Sequence, residues 1–153
     1  MVKVEGQITI ARPVEEVFDY VADQTNEPQY NPAMVRADKI GVSPLGVGTR
    51  FSSAVHTAGR TVDMIIEVLS YDRPRLLASR TVMKQADIHY ILRFEAVPAG
   101  TRMQWSGGVR PQGPLRLLTP VVGWIGRRQE QRIWSSMKQR LEGSPEKLAS
   151  TDQ

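Results

Sequence analysis

Hydrophobic and polar positions alternate along most of this chain, and only two stretches break that alternation with helical spacing. Val2, Val4, Ile8 and Ile10 stand between polar partners and predict a first strand. Val14, Val17, Phe18 and Val21 then share one helical face. Pro13 suits the first helical position, and Glu15 and Glu16 lie in the first turn, where the helix dipole favours acids. This spacing predicts a short docking helix ending near Ala22. Pro28 and Pro32 allow at most a helical turn before a strand from Met34 to Ile40. Five further strands follow: Thr49 to Thr57, Thr61 to Tyr71, Arg75 to Met83, Asp87 to Val97 and Thr101 to Val109. Turn residues such as Gly46-Val47-Gly48, Asp72-Arg73-Pro74 and Pro98-Ala99-Gly100 separate them, and connections this short predict an antiparallel meander. Pro111, Gly113 and Pro114 end the sheet. Thr119-Pro120 reads as the cap and first position of one long amphipathic helix, from Pro120 to Glu142. One domain over residues 1–142 is expected, with residues 143–153 as a flexible polar tail.

The elements predict an α+β fold in which a curved antiparallel sheet of about seven strands wraps a long helix and encloses a cavity. Alternation assigns the inward face to Phe51, Ser53, Val55 and Thr57, to Val62, Met64, Ile66 and Val68, to Ile88, Tyr90, Leu92 and Phe94, and to Met103, Trp105 and Gly107. Asp63, Glu67, His89, Arg93, Glu95, Arg102 and Gln104 face water. The strand from Arg75 to Met83 is ambiguous. Arg80 shares a face with Leu76, Ala78 and Val82, and a one-residue slip sends it outside. The long helix carries a stripe of Leu118, Val122, Ile125, Ile133, Met137 and Leu141, interrupted by Gly126 and Gln129. A small residue and a neutral polar one at that place suit a partly polar pocket.

Composition narrows the function classes. The 153 residues are enough to bury a core without staples, and the absence of cysteine removes disulfides and thiol chemistry. No apolar run is long enough to span a bilayer, and Met1-Val2-Lys3 leads straight into a strand, so a cytoplasmic location without stable membrane insertion is expected. The net charge of +4 is concentrated: residues 110–142 hold seven Lys or Arg against two Glu. Such a helix is able to touch phosphates or acidic headgroups, although a solvated outer face is the simpler reading. No aromatic is interleaved with these bases at stacking distance, so no nucleic-acid partner is expected.

Several segments resemble a known family. They are Ala11-Arg12-Pro13-Val14-Glu15-Glu16-Val17-Phe18, Tyr30-Asn31-Pro32, Gly46-Val47-Gly48-Thr49-Arg50-Phe51, Gly100-Thr101-Arg102 and Trp124-Ile125-Gly126-Arg127-Arg128-Gln129. With the order of elements, they make residues 2–142 similar to the START-like (SRPBCC) superfamily of helix-grip folds, and most like its polyketide cyclase/dehydrase-type bacterial proteins. That resemblance implies a hydrophobic cavity for lipids, sterols, polyketides or other aromatic compounds. Some relatives are cyclases or hydratases and many only bind or carry. Relatives often place Trp where this chain has Tyr30, which makes that wall more polar if it faces the pocket.

Candidate chemistry is sparse. Gly46-x-Gly48 opens a strand and lacks the third glycine of a dinucleotide fingerprint, so it reads as a turn. Asp19 and Asp23 lie one helical turn apart on a face that reads as solvated. His89 points outward by alternation. His56 shares the outward face of Ser52 and Ala54 unless a bulge turns it in. Tyr90 is the best placed polar group, because a buried phenol needs a partner such as Gln129 or a ligand oxygen. Arg80, if inward, would bind a carboxylate or polarise a carbonyl. The leading expectation is a binding protein for a hydrophobic or aromatic small molecule, with a cavity lined by Phe51, Val55, Met64, Ile66, Tyr90, Phe94, Trp105, Val122, Gln129 and Ile133. The alternatives are a cyclase or dehydratase acting on a bound carbonyl compound through Tyr90 with Arg80 or His56, and a lipid-surface module using the basic helix. No cofactor or metal is expected, and a homodimer is left open.

Overall fold

The computed structural model describes residues 2–57, 59–84, 86–113 and 119–143, with the side chains of the last helix described from Arg128 onward. The chain runs β1 (Val2–Ile10), α1 (Val14–Ala22), a 3₁₀ helix (Gln24–Gln29), β2 (Met34–Ile40), β3 (Arg50–Thr57), β4 (Arg60–Asp72), β5 (Leu76–Met83), β6 (Ala86–Val97), β7 (Gly100–Pro111) and α2 (Thr119–Glu142). The strands form one sheet in the order β1-β7-β6-β5-β4-β3-β2, antiparallel throughout. This is the expected α+β architecture. Strand limits differ from the sequence reading by one or two residues. Pro13 caps α1 rather than starting it, with an extended ψ of 147°. The helical turn expected around Pro28 is the 3₁₀ helix, whose Asp23 cap accepts the Thr25 N–H at 3.1 Å.

The sheet follows from hydrophobic alternation, and its bends follow from extra residues. Register shifts at Val35 in β2 and Leu69 in β4 each insert one residue, and both side chains are exposed. On the concave face, α1 buries Val17, Phe18 and Val21. Phe18 stands edge-on to Phe94 (5.1 Å between centroids) and Tyr71 (5.3 Å), closing one end of the fold.

Helix α2 is pinned at its C-terminal end to the corner after β1. Lys138 Nζ donates to Thr9 O at 2.8 Å, Arg12 Nε donates to Leu141 O at 2.9 Å, and the Ala11 N–H donates to Glu142 Oε1 at 3.0 Å. Ile133, Trp134, Met137 and Leu141 are buried against the sheet. The stripe positions Leu118, Val122, Ile125 and Gly126 lie outside the described side chains, as does the expected tail beyond Gly143.

Two glycines make room for large rings. Gly6 pairs with Trp105 across β1 and β7, and Gly107 pairs with Tyr90 across β7 and β6. A Cβ on Gly6 would lie 2.3 Å from Trp105 Cζ2, and one on Gly107 would lie 2.9 Å from Tyr90 Cδ2. Trp105 is nearly fully buried and has no room to retreat. Gly6→Ala is therefore expected to destabilise the fold by about 1–3 kcal/mol through overpacking. Urea denaturation followed by tryptophan fluorescence measures this, and an unchanged midpoint would contradict the packing.

Candidate functional site

A cavity of about 320 Å³ lies between the concave face, the 3₁₀ helix and α2. Its floor is apolar: Val55 on β3, Met64 and Ile66 on β4, Leu77 and Met83 on β5, Ile88 and Leu92 on β6. Met34 adds to one side, and Ile133 and Trp134 come from α2. Polar groups come from several elements. Ser79, Thr81 and Thr57 offer hydroxyls, the 3₁₀ helix brings Gln24 and Glu27 with Asn31 beyond it, and α2 brings Gln129 and Glu130. Gln129 and Thr57 are exposed, so the cavity meets solvent there.

The polar cluster is wired around Tyr90. Its hydroxyl donates to Glu130 Oε2 in a short hydrogen bond. Trp134 Nε1 donates to the same carboxyl oxygen at 2.9 Å and lies 3.0 Å from the Tyr90 oxygen. Burial pushes the Glu130 carboxyl above its ordinary range, although these two donors pull it back. Tyr90 is held far above the ordinary phenol value, first by burial and then by the Glu130 charge. On the 3₁₀ helix, Glu27 Oε1 accepts from Asn31 Nδ2 at 3.0 Å. Loss of water around Glu27 raises its pKa to about 7, and the Glu130 charge adds to the rise against the Asn31 hydrogen bond. Two carboxyls thus feel each other across an apolar space.

Aromatic rings frame the cluster. Trp134 is tilted against Tyr30 (6.1 Å), Trp105 (6.1 Å) and Tyr90 (6.4 Å), and Tyr30 in turn meets Tyr20 at 5.8 Å. Tyr30 is buried, and its phenol is pushed far up by desolvation and then by the Glu27 charge.

Of the residues expected to line a cavity, Val55, Met64, Ile66, Tyr90, Gln129 and Ile133 meet in it. Three others do not. Phe51, Phe94 and Trp105 are buried in the core beneath it, and Phe94 packs on Phe18 instead. Alternation identifies an inward face, but only packing separates a side chain that fills space from one that bounds a void. Val122 lies outside the described side chains.

The remaining chemical candidates sit elsewhere. Arg80 is outside and forked on Asp87, at 3.0 and 2.7 Å, and this hydrogen bonding lowers the Asp87 pKa. The β5 strand turns Leu77, Ser79, Thr81 and Met83 inward, opposite to the face that held Leu76, Ala78 and Val82 in the sequence reading. Both faces carry apolar residues, so the charge of Arg80 decides the register. His56 is exposed, with Nδ1 3.5 Å from Thr61 Oγ1, and His89 is exposed beside Asp87. Asp19 is forked by Arg73 at 2.7 and 2.8 Å, and Asp23 caps the 3₁₀ helix. No three His, Asp or Glu converge on a metal position among the described residues.

Glu130 and Trp134, which hold the Tyr90 hydroxyl in place of Gln129, went unread in the sequence, and so did Glu27. Their signal was present: Glu130, Ile133, Trp134, Met137 and Leu141 follow the i, i+3, i+4, i+7, i+11 spacing of one buried helix face. An acid inside such a stripe marks a buried carboxyl.

A family model described as polyketide cyclase / dehydrase and lipid transport matches residues 1–142. The chain belongs to that family. Solved structures share its fold. A protein from Thermus thermophilus aligns with a TM-score of 0.80 at 17% identity, covering 94% of this chain and 99% of that one. A START superfamily protein from Mycobacterium smegmatis gives 0.72 at 16%, covering 97% and 99%. An aromatase/cyclase from Streptomyces sp. R1128 gives 0.68 at 14%, covering 90% and 94%. At such identities the likeness is one of fold, and it establishes the START-like helix grip read from the sequence. Among curated proteins none matches this sequence.

The raised Glu27 sets a pH dependence. Its native pKa of about 7 exceeds the ordinary 4.5, so the folded chain holds a proton that the unfolded chain has released between these values. The stability due to this group is complete below about pH 4.5 and is lost as pH rises through 7. Unfolding free energy should fall by about 1–3 kcal/mol from pH 5 to pH 8. Glu27→Gln keeps an oxygen for Asn31 and should flatten that fall; chemical denaturation at both pH values checks it, and an unflattened fall would rule Glu27 out.

Proposed function

We propose that this protein binds a hydrophobic or aromatic small molecule, lipid-like or polyketide-like, between the sheet and α2. The observation that carries this reading is the cavity itself. Its volume of about 320 Å³ lies at the small end of the range for ligand pockets, and its apolar lining is combined with hydrogen-bonding groups, Tyr90, Glu27 and Glu130 among them. The family's description, which joins polyketide cyclases and lipid transport, supports the same class of ligand. Burial of apolar ligand surface drives binding at roughly 25 cal/mol per Å² before the entropic costs of association. The polar cluster orients the ligand.

Native mass spectrometry of protein purified from its own cells, beside a denatured sample, tests this reading. A small molecule that leaves on denaturation is expected. Ser79→Trp, which fills the cavity from β5, should remove that adduct while keeping the far-UV spectrum. Retention of the adduct by this variant would place the ligand elsewhere.

A second reading has one specific observation in its favour. The Tyr90 hydroxyl sits in the cavity wall on Glu130 Oε2, an arrangement able to pass a proton to a bound carbonyl oxygen and draw one back. The Streptomyces neighbour named an aromatase/cyclase has the same fold. If this protein is such a cyclase or dehydratase, Tyr90→Phe should lower turnover of a carbonyl substrate by about 100-fold or more while affinity stays within a few-fold. Equal losses in both would mean that Tyr90 serves binding alone.

A further inference from the structure

We propose that the ligand of this cavity is a hydrophobic amine, its protonated nitrogen held between Glu27 and Glu130 against the ring of Trp134. The inference rests on reading the cavity as a small-molecule site and names the ligand's class. Both donors to Glu130 fall on Oε2, so Oε1 accepts nothing among the described residues. The one donor to Glu27 falls on Oε1, which leaves Oε2 in the same state. Two carboxyl oxygens are therefore open to a guest. No Lys, Arg or His among the described residues lines the cavity to neutralise them. The ionisable groups facing the space are Glu27, Glu130 and Tyr90, with Tyr30 stacked behind Trp134, and all four are acids.

The charge contrast is informative. The chain carries +4 overall, yet this interior is acidic, so its sign is local and opposite to the field outside. Two carboxyls in a low-dielectric space resist ionising together, which favours a protonated Glu27 until another cation arrives. An ammonium group supplies that cation and two or three N–H donors, while an anionic ligand meets repulsion from both carboxyls. The ring of Trp134 adds cation–π attraction for a nitrogen seated on its face. Binding an ammonium then displaces the carboxyl proton, so affinity rises with pH while the amine stays protonated.

Isothermal titration with three ligands of one skeleton tests this: 1-naphthylmethylamine, 1-naphthalenemethanol and 1-naphthoate. The amine should bind about ten-fold or more tighter than the alcohol, with the carboxylate weakest. Its affinity should rise about three- to ten-fold from pH 6 to pH 8, with protons released to buffer, while the alcohol's does not change. Glu130→Gln and Glu27→Gln should each lower the amine-to-alcohol ratio to about three-fold or less. Equal binding of amine and alcohol, or tighter binding of the carboxylate, would overturn the amine assignment and leave the cavity as a site for another apolar ligand. If none of the three binds, the amine assignment is overturned, and the small-molecule reading is decided separately by the adduct in native mass spectrometry.

Discussion

The pairing of β1 with β7, from Val2 against Val109 to Ile10 against Thr101, is the constraint on which the rest depends. It places the start of the chain beside the strand that leads into α2. The corner after β1 then receives the far end of the helix through Thr9, Ala11 and Arg12. Thr101, fully buried, reinforces that corner by donating to Arg12 O at 2.8 Å. A helix tethered in this way crosses the concave face at a fixed height above the strands beyond β7. The space left under it over β4, β5 and β6 becomes the cavity. Gly6 and Gly107 belong to the same arrangement, because each lets a ring lie flat where a side chain would otherwise stand.

Inside that frame the polar cluster weakens the fold. A carboxyl withdrawn from water is stabilised only by the donors that reach it. Glu130 has two and Glu27 has one, and loss of water outweighs them, so both pKa values rise. Leucine or methionine at these positions would pack with the apolar floor and bring no desolvation penalty. Acids in an apolar void fit the ligand-binding reading proposed above, because a binding site is often built at the expense of stability. The rings from Tyr20 through Tyr30 and Trp134 to Trp105 hold the wall that carries Glu130. A rigid wall reduces the ordering cost of binding.

The sequence was most legible where local chemistry decides. Gly and Pro placed nearly every strand end to within two residues, and Val14, Val17, Phe18 and Val21 marked α1 correctly. Tyr90 stood out because a phenol between Ile88 and Leu92 has to face inward. Glu130 was hidden by a stripe drawn through Gln129 that passed over Trp134, and by counting the helix as a basic element. Arg80 could be placed only when its neighbours were known, since both faces of β5 offer apolar residues and Asp87 on β6 supplies the fork that keeps it outside.

What the sequence by itself determined is periodicity: which residues form strands, which faces are apolar, and that a long helix must cover one of them. Those properties follow from side-chain spacing along a single segment. Tertiary structure alone decided which inward residues touch one another and which border empty space. Phe51 and Val55 have the same periodicity, yet one is core and the other is cavity wall. Likewise, Glu27 and Glu130 stand far apart in the chain, and their mutual charge acquires meaning only when α2 brings them to one apolar space. Electrostatic coupling depends on distance and on the medium between charges, and folding supplies both.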